Sequence, residues 1–216
     1  MKSLFLLLAL SLILPLSVEA SNCSQKALRE LYHSHSSVAL PVPVSFQEFQ
    51  RAVSQLRSRG NKPKFLEHLK GDYQYVSHGP KPQVKVVSGL HTNEGIEFLK
   101  KMRPDIAPDI SIKEFPNGMQ VASIPEAAIS ERRLRSAHRK SKVIEGREII
   151  FTEHTLFPKA WSEKEIIEAV EKVRSNRVSL RAVREGATFI TGSYKGVKIR
   201  IIIREGEIKT AFPMAN

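Results

Sequence analysis

The chain has 216 residues, a formal charge of +12 and a single cysteine. One cysteine cannot close an intramolecular disulfide, which excludes the stapled architecture of small secreted eukaryotic ribonucleases. The excess of positive charge points to an anionic partner: nucleic acid, an acidic glycan or lipid headgroups.

Met1-Lys2 gives a short positive start. Leu4 to Leu16 is an apolar run broken by Ser11 and Pro15, and Val18-Glu19-Ala20 places small residues at a cleavage position. This is the three-part layout of a secretory signal peptide over residues 1–20. The run falls short of the roughly 20 apolar residues a membrane span needs. It therefore predicts cleavage, a secreted or periplasmic product and no stable membrane insertion afterwards. Cys23 follows Ala20-Ser21-Asn22, which fits a lipoprotein signal poorly. Asn22-Cys23-Ser24 matches a glycosylation sequon, a pattern that chance produces often.

Residues 21–45 read as a helical start and a loop broken by Ser36-Ser37 and Pro41-Val42-Pro43. Phe46 to Arg59 is expected to be an amphipathic helix with Phe46, Phe49, Val53 and Leu56 on one face. Phe65 to Lys70 reads as a second, short helix. Gly79-Pro80-Lys81-Pro82 is the strongest linker signal and sets a boundary between a mostly helical extension, 21–82, and a domain over 83–216.

Val84 to Val87 reads as a strand. Glu94 to Met102 reads as a helix capped by Thr92 or Asn93 and terminated by Pro104. Ile106 to Pro116 reads as loop, and Asn117-Gly118 as a turn into a strand from Met119 to Ile124. Ile129 to Lys142 carries six fixed cations, Arg135 and Arg139 among them. Such a run is a solvated helix face or loop on one reading and a phosphate-contacting segment on the other. Ser162 and Glu165 form an expected capping box. It opens a helix to about Asn176 whose apolar face holds Ile166, Ile167, Val170 and Val173. Strands follow at Thr188–Tyr194, Val197–Ile203 and Glu207–Phe212, joined at Lys195-Gly196 and Glu205-Gly206. A helix followed by an antiparallel meander predicts an α+β fold, with helices packed on a small antiparallel sheet.

Two blocks carry a resemblance. The first is Ser88-Gly89-Leu90-His91-Thr92-Asn93-Glu94-Gly95 with Phe98-Leu99 and Arg103-Pro104-Asp105. The second starts at His154-Thr155-Leu156-Phe157-Pro158-Lys159-Ala160-Trp161-Ser162. It continues through Glu185-Gly186-Ala187-Thr188-Phe189 and Gly196-Val197-Lys198-Ile199 to Ile208-Lys209-Thr210-Ala211-Phe212-Pro213. In order and spacing they resemble the EndoU-like nuclease domains at the C-termini of bacterial polymorphic and contact-dependent toxins. The resemblance implies a small ribonuclease of the barnase, EndoU and RelE-like kind. It would cut RNA to 2′,3′-cyclic phosphate ends without cofactor or metal. A cognate immunity protein would guard the producer. A stand-alone chain with a signal peptide departs from the usual toxin layout, and residues 21–82 lie outside the resemblance.

The resemblance also implies active-site histidines, a lysine and a hydroxyl near the last strand. His91 and His154 fill the histidine places, with His138 as the alternative second histidine. Thr210 supplies the hydroxyl. Lys142 is the lysine, with Lys195 and Lys209 as rivals. Arg135, Arg139, Lys195, Lys209 and Phe212 are the candidates for RNA contact, Phe212 standing where tyrosine is common.

The chemistry needs a base for the 2′ proton, an acid for the 5′ oxygen and donors for the phosphate. Histidine suits both proton roles because its ordinary pKa is about 6.5. Each residue also has a plain structural alternative. His91 would be a loop residue before a helix cap, His154 a strand end and Thr210 an ordinary strand threonine. Phe157 and Trp161 read as core anchors, and His33, His35, His68 and His78 as surface residues.

Two functions stand against each other: an exported metal-independent endoribonuclease, acting as a toxin or effector, and a non-catalytic basic protein that binds nucleic acid or an anionic surface polymer. A metal-dependent hydrolase lacks compact ligand spacing.

Overall fold

Ser45 opens the first helix with a complete capping box. Its hydroxyl accepts from Glu48 N at 3.2 Å and the Glu48 carboxylate accepts from Ser45 N at 2.9 Å. The computed structural model describes residues 44–57, 62–77, 83–134 and 139–215. The expected signal segment, Cys23, His33, His35, His78, the Gly79–Pro82 linker, Arg135 and His138 lie outside the described residues.

The elements run α1 (Phe46–Leu56), α2 (Lys64–Lys70), β1 (Asp72–Val76), β2 (Gln83–Ser88), α3 (Asn93–Met102), β3 (Ser111–Glu114), β4 (Gln120–Pro125), α4 (Glu131–Leu134) and β5 (Arg139–Ile144). There follow β6 (Arg147–Leu156), α5 (Glu163–Ser175), β7 (Leu180–Arg184), β8 (Ala187–Tyr194), β9 (Val197–Arg204) and β10 (Glu207–Pro213). The strands form a β1-β2 pair and two four-stranded antiparallel sheets, ordered β3-β4-β6-β5 and β10-β9-β8-β7. The α+β class and the helix-on-sheet packing are as the sequence predicts.

Three apolar cores hold these layers together. Phe65, Leu66 and Leu69 of α2 and Ile166, Val170 and Val173 of α5 pack on Val197, Ile199 and Ile201 of the second sheet. Val86, Leu90 and α3 residues Ile96 and Leu99 pack on Ala122, Ile124 and Leu156 of the first sheet. Phe49, Ala52 and Leu56 of α1 close over Val84, Phe98 and Met102. Burying each such side chain stabilises by roughly 1.5–3 kcal/mol.

The boundary expected at residue 82 is therefore not a boundary of this fold. β1 and β2 pair across it, and the described residues belong to one compact unit, Pro43–Asn216. Gly and Pro punctuate a connection, but apolar faces that bury against each other decide whether the two sides separate.

Other differences are local. β3 forms inside the expected loop, with all four of its residues exposed. The basic run ends as strand β5, paired with β6. β7 adds an exposed edge to the meander. α1 stops at Leu56, short of the expected Arg59. The Ser162 hydroxyl accepts from Glu165 N at 3.3 Å, but the Glu165 carboxylate takes Lys195 Nζ at 2.6 Å instead of reaching back. A full cation is a stronger partner for it than a backbone amide. No helix of the described residues is long and apolar enough to cross a membrane.

Candidate active site

The turn after β2 delivers His91. Gly89 and Leu90 both have φ 71°. A Cβ on Gly89 would lie 1.8 Å from the His68 carbonyl oxygen, so that position requires glycine. Leu90 also takes the left-handed backbone, and its side chain is fully buried. The His91 backbone is held at both ends: its N donates to Leu69 O at 2.6 Å and its O accepts from Phe157 N at 2.9 Å.

The His91 ring is 9% exposed and stacks on Phe212, with centroids 5.4 Å apart at 22°. Its Nδ1 lies 2.8 Å from Thr155 O. A carbonyl can only accept, so Nδ1 carries the proton and Nε2 keeps the lone pair. Burial pushes the imidazole pKa down to about 4. The Thr155 carbonyl opposes that shift, and the Arg133 charge adds to it.

His154 lies on β6, beside Thr155, and is buried. Its Nδ1 is 3.4 Å from the Arg133 guanidinium. Guanidinium only donates, so Nδ1 accepts and Nε2 carries the hydrogen. That nitrogen lies 3.2 Å from Thr152 Oγ1, and the ring also bonds the Gly89 carbonyl. Burial first, then Arg133 and His91, push the His154 pKa down to about 3. Both rings are thus neutral at pH 7.

Thr210 lies on β10 two residues from Phe212, so the two share a sheet face. Its hydroxyl is buried and has no hydrogen-bond partner among the described residues. The sheets meet here, where β10 touches β6. The structure thus brings His91, His154 and Phe212 together, with Thr210 beside Phe212 on the same sheet face.

The lysines go elsewhere. Lys142 sits over the Phe151 ring at 5.5 Å and pairs with Ile149, which is ~17 Å along β6 from His154. Lys195 is held by Glu165 at 2.6 Å. Lys209 lies between Glu207 at 2.9 Å and Glu205 at 3.7 Å. Arg139 is 3.8 Å from Glu126 and donates to Leu134 O at 3.2 Å.

His68 is partly buried, with Nδ1 2.8 Å from Asp72. It is not the plain surface residue expected. Phe157 is a core residue, and Trp161 stacks beside it at 6.0 Å, as their anchor role predicts. A cleft of about 250 Å³ is lined by Lys70, Glu94, Trp161 and Glu163 and not by the two histidines. Lys70 meets Glu163 at 2.8 Å and Glu94 at 3.2 Å there, so its charge is already balanced. Among the described residues no group of three or more His, Cys, Asp or Glu is placed to hold a metal.

Arg133 is the site residue that sequence reasoning misses. It stands in the basic run beside Arg132, and nothing local separates the two. Arg132 is exposed, whereas Arg133 folds inward toward His154.

The family model for the bacterial EndoU nuclease matches residues 76–215. The chain belongs to the bacterial EndoU nuclease family. No curated protein and no solved structure matches it. His91, Arg133, His154, Thr210 and Phe212 all fall within the matched span of this EndoU nuclease. α2 precedes that span, yet it supplies the Leu69 carbonyl that anchors His91.

Proposed function

We propose that this EndoU-family nuclease is an exported endoribonuclease that cuts RNA without a metal, by attack of a 2′-OH on the adjacent phosphorus. The products are a 2′,3′-cyclic phosphate and a 5′-OH. The observation that carries this reading is the His91 lock. Its Nδ1–H is tied to the Thr155 carbonyl, leaving Nε2 as a neutral base at pH 7.

In this mechanism the 2′ proton moves to His91 Nε2 as the O2′–P bond forms and the P–O5′ bond breaks. The 5′ oxygen departs on the side of phosphorus opposite the 2′ oxygen, so it takes its proton from a water molecule, and His91 afterwards returns the 2′ proton to solvent. The Arg133 guanidinium neutralises the non-bridging oxygens, and the unpartnered Thr210 hydroxyl donates to one of them. His154 acts through others, holding Arg133 with Nδ1 and facing Thr152 Oγ1 with Nε2. It is a positioning residue here. The two histidines are expected as an acid–base pair; this reading assigns the base role to His91, because burial and the Arg133 charge both disfavour a proton on His154.

Export rests on the signal-like residues 1–20. An exported basic ribonuclease fits a toxin or effector acting on the RNA of another cell, with a cognate immunity protein in the producer.

The test is incubation of the purified mature chain with mixed RNA in EDTA, followed by analysis of the product ends. Cyclic phosphate ends are expected. Intact RNA from a folded protein would overturn the reading. If RNA were then retained with steep salt dependence, the non-catalytic binding function would take its place.

A further inference from the structure

The outer face of the second sheet continues away from His91 as a basic and aromatic surface. Strand register fixes which side chains share it, because directly opposed residues point to the same side. Phe212 opposes Arg200, Arg200 opposes Thr191, and Thr191 opposes Leu180. This row starts at the ring stacked on His91 and crosses all four strands, a width of ~14 Å. The next row on the same face is Thr210, Ile202, Phe189 and Ala182. The opposite face carries Ile190, Ile199 and Ile201, which α2 and α5 cover.

Neither row contains a carboxylate. Arg200 Nε donates to Thr191 Oγ1 at 3.4 Å, which holds the guanidinium along the row. Phe189, Ile202 and Arg200 keep partial exposure, and Leu180 is 74% exposed. Apolar and aromatic groups held at a sheet surface beside a cation, here Arg200, match how single-stranded RNA is bound. Bases stack on the rings and phosphates meet the cations. Continuity with the His91 site, through Phe212, makes the substrate the natural occupant.

We propose that single-stranded RNA flanking the scissile phosphate lies across this face, with Phe189 stacking a base and Arg200 contacting a backbone phosphate. The choice of RNA as occupant rests on the RNA-cleaving reading above. Two strand spacings separate Phe189 from Phe212, about 10 Å across the sheet. The platform therefore extends recognition beyond the nucleotide being cut.

The test measures binding of a single-stranded 2′-O-methyl oligonucleotide, which lacks the attacking hydroxyl, to the full mature chain. The variants are Phe189→Leu, which keeps apolar bulk without a ring, and Arg200→Gln. Lys164→Gln, on the exposed side of α5, controls for general charge. Phe189→Leu is expected to weaken binding by about tenfold. Arg200→Gln is expected to weaken it and to lower the slope of log Kd against log salt by about one. Lys164→Gln should do neither. Affinities and slopes for Phe189→Leu and Arg200→Gln indistinguishable from Lys164→Gln would overturn the proposal, even if the wild type cuts RNA. Selective weakening in a protein that leaves ordinary RNA intact would support this face and sink the cleavage reading alone.

Discussion

The guanidinium of Arg133 stands 3.4 Å from Nδ1 of His154, so the lone pair that would take a proton is already occupied by a donor. Together with burial, this holds the ring neutral down to a pKa of about 3. Arg133→Gln removes the charge and keeps a donor. The His154 titration should then move upward by NMR. The same substitution should lower kcat by about 10²–10³-fold, the usual cost of losing an oxyanion donor. An unmoved titration would mean that burial alone sets the His154 pKa.

The pH dependence of kcat/KM separates one base from an acid–base pair. A single base with the His91 pKa of about 4 gives a rate that rises through that pH and is flat at neutrality. A bell with a descending limb near neutrality would restore His154 as the acid.

Stability should follow the same groups. Both histidines have folded pKa values, about 4 and about 3, below the ordinary 6.5 of the unfolded chain. Between those values the unfolded state binds protons that the folded state excludes. Stability is therefore complete above about pH 6.5 and falls as pH drops toward 4 and then 3, with a slope of up to about 1.4 kcal/mol per pH unit for each ring. Urea denaturation at stepped pH reads this directly. Stability constant between pH 6.5 and 4 would show that the rings are hydrated in solution.

Gly89→Ala combines a φ of 71° with a Cβ placed 1.8 Å from the His68 carbonyl. The turn must shift, and His91 and the Gly89 carbonyl bound by His154 shift with it. A stability loss of more than about 2 kcal/mol is expected. Gly146→Ala, also at positive φ but with nothing near its Cβ, isolates the backbone strain. Equal losses in the two variants would remove the steric contribution.

Helices with a polar cap and an apolar stripe were legible in the sequence. Ser162 and Thr92 both cap where the pattern places them, because capping and periodicity are local. The edges β3 and β7 were not legible, since exposed strands carry no inward-outward alternation. His91, Phe212 and Thr210 could be singled out by their blocks. Arg133 could not, because its partner lies 21 residues away and the contact exists only once α4 packs near β6. The lysines show the converse. Lys195 and Lys209 have carboxylate partners that only the folded strands and turns supply.

In the proposed reaction His91 Nε2 takes the 2′ proton. Single-turnover cleavage of an end-labelled RNA in EDTA, by wild type and by a folded His91→Ala variant, tests it most directly. Cyclic phosphate product is expected from the wild type, with a loss of about 10²–10⁴-fold in the variant. Cleavage by His91→Ala within a few-fold of wild type would contradict it.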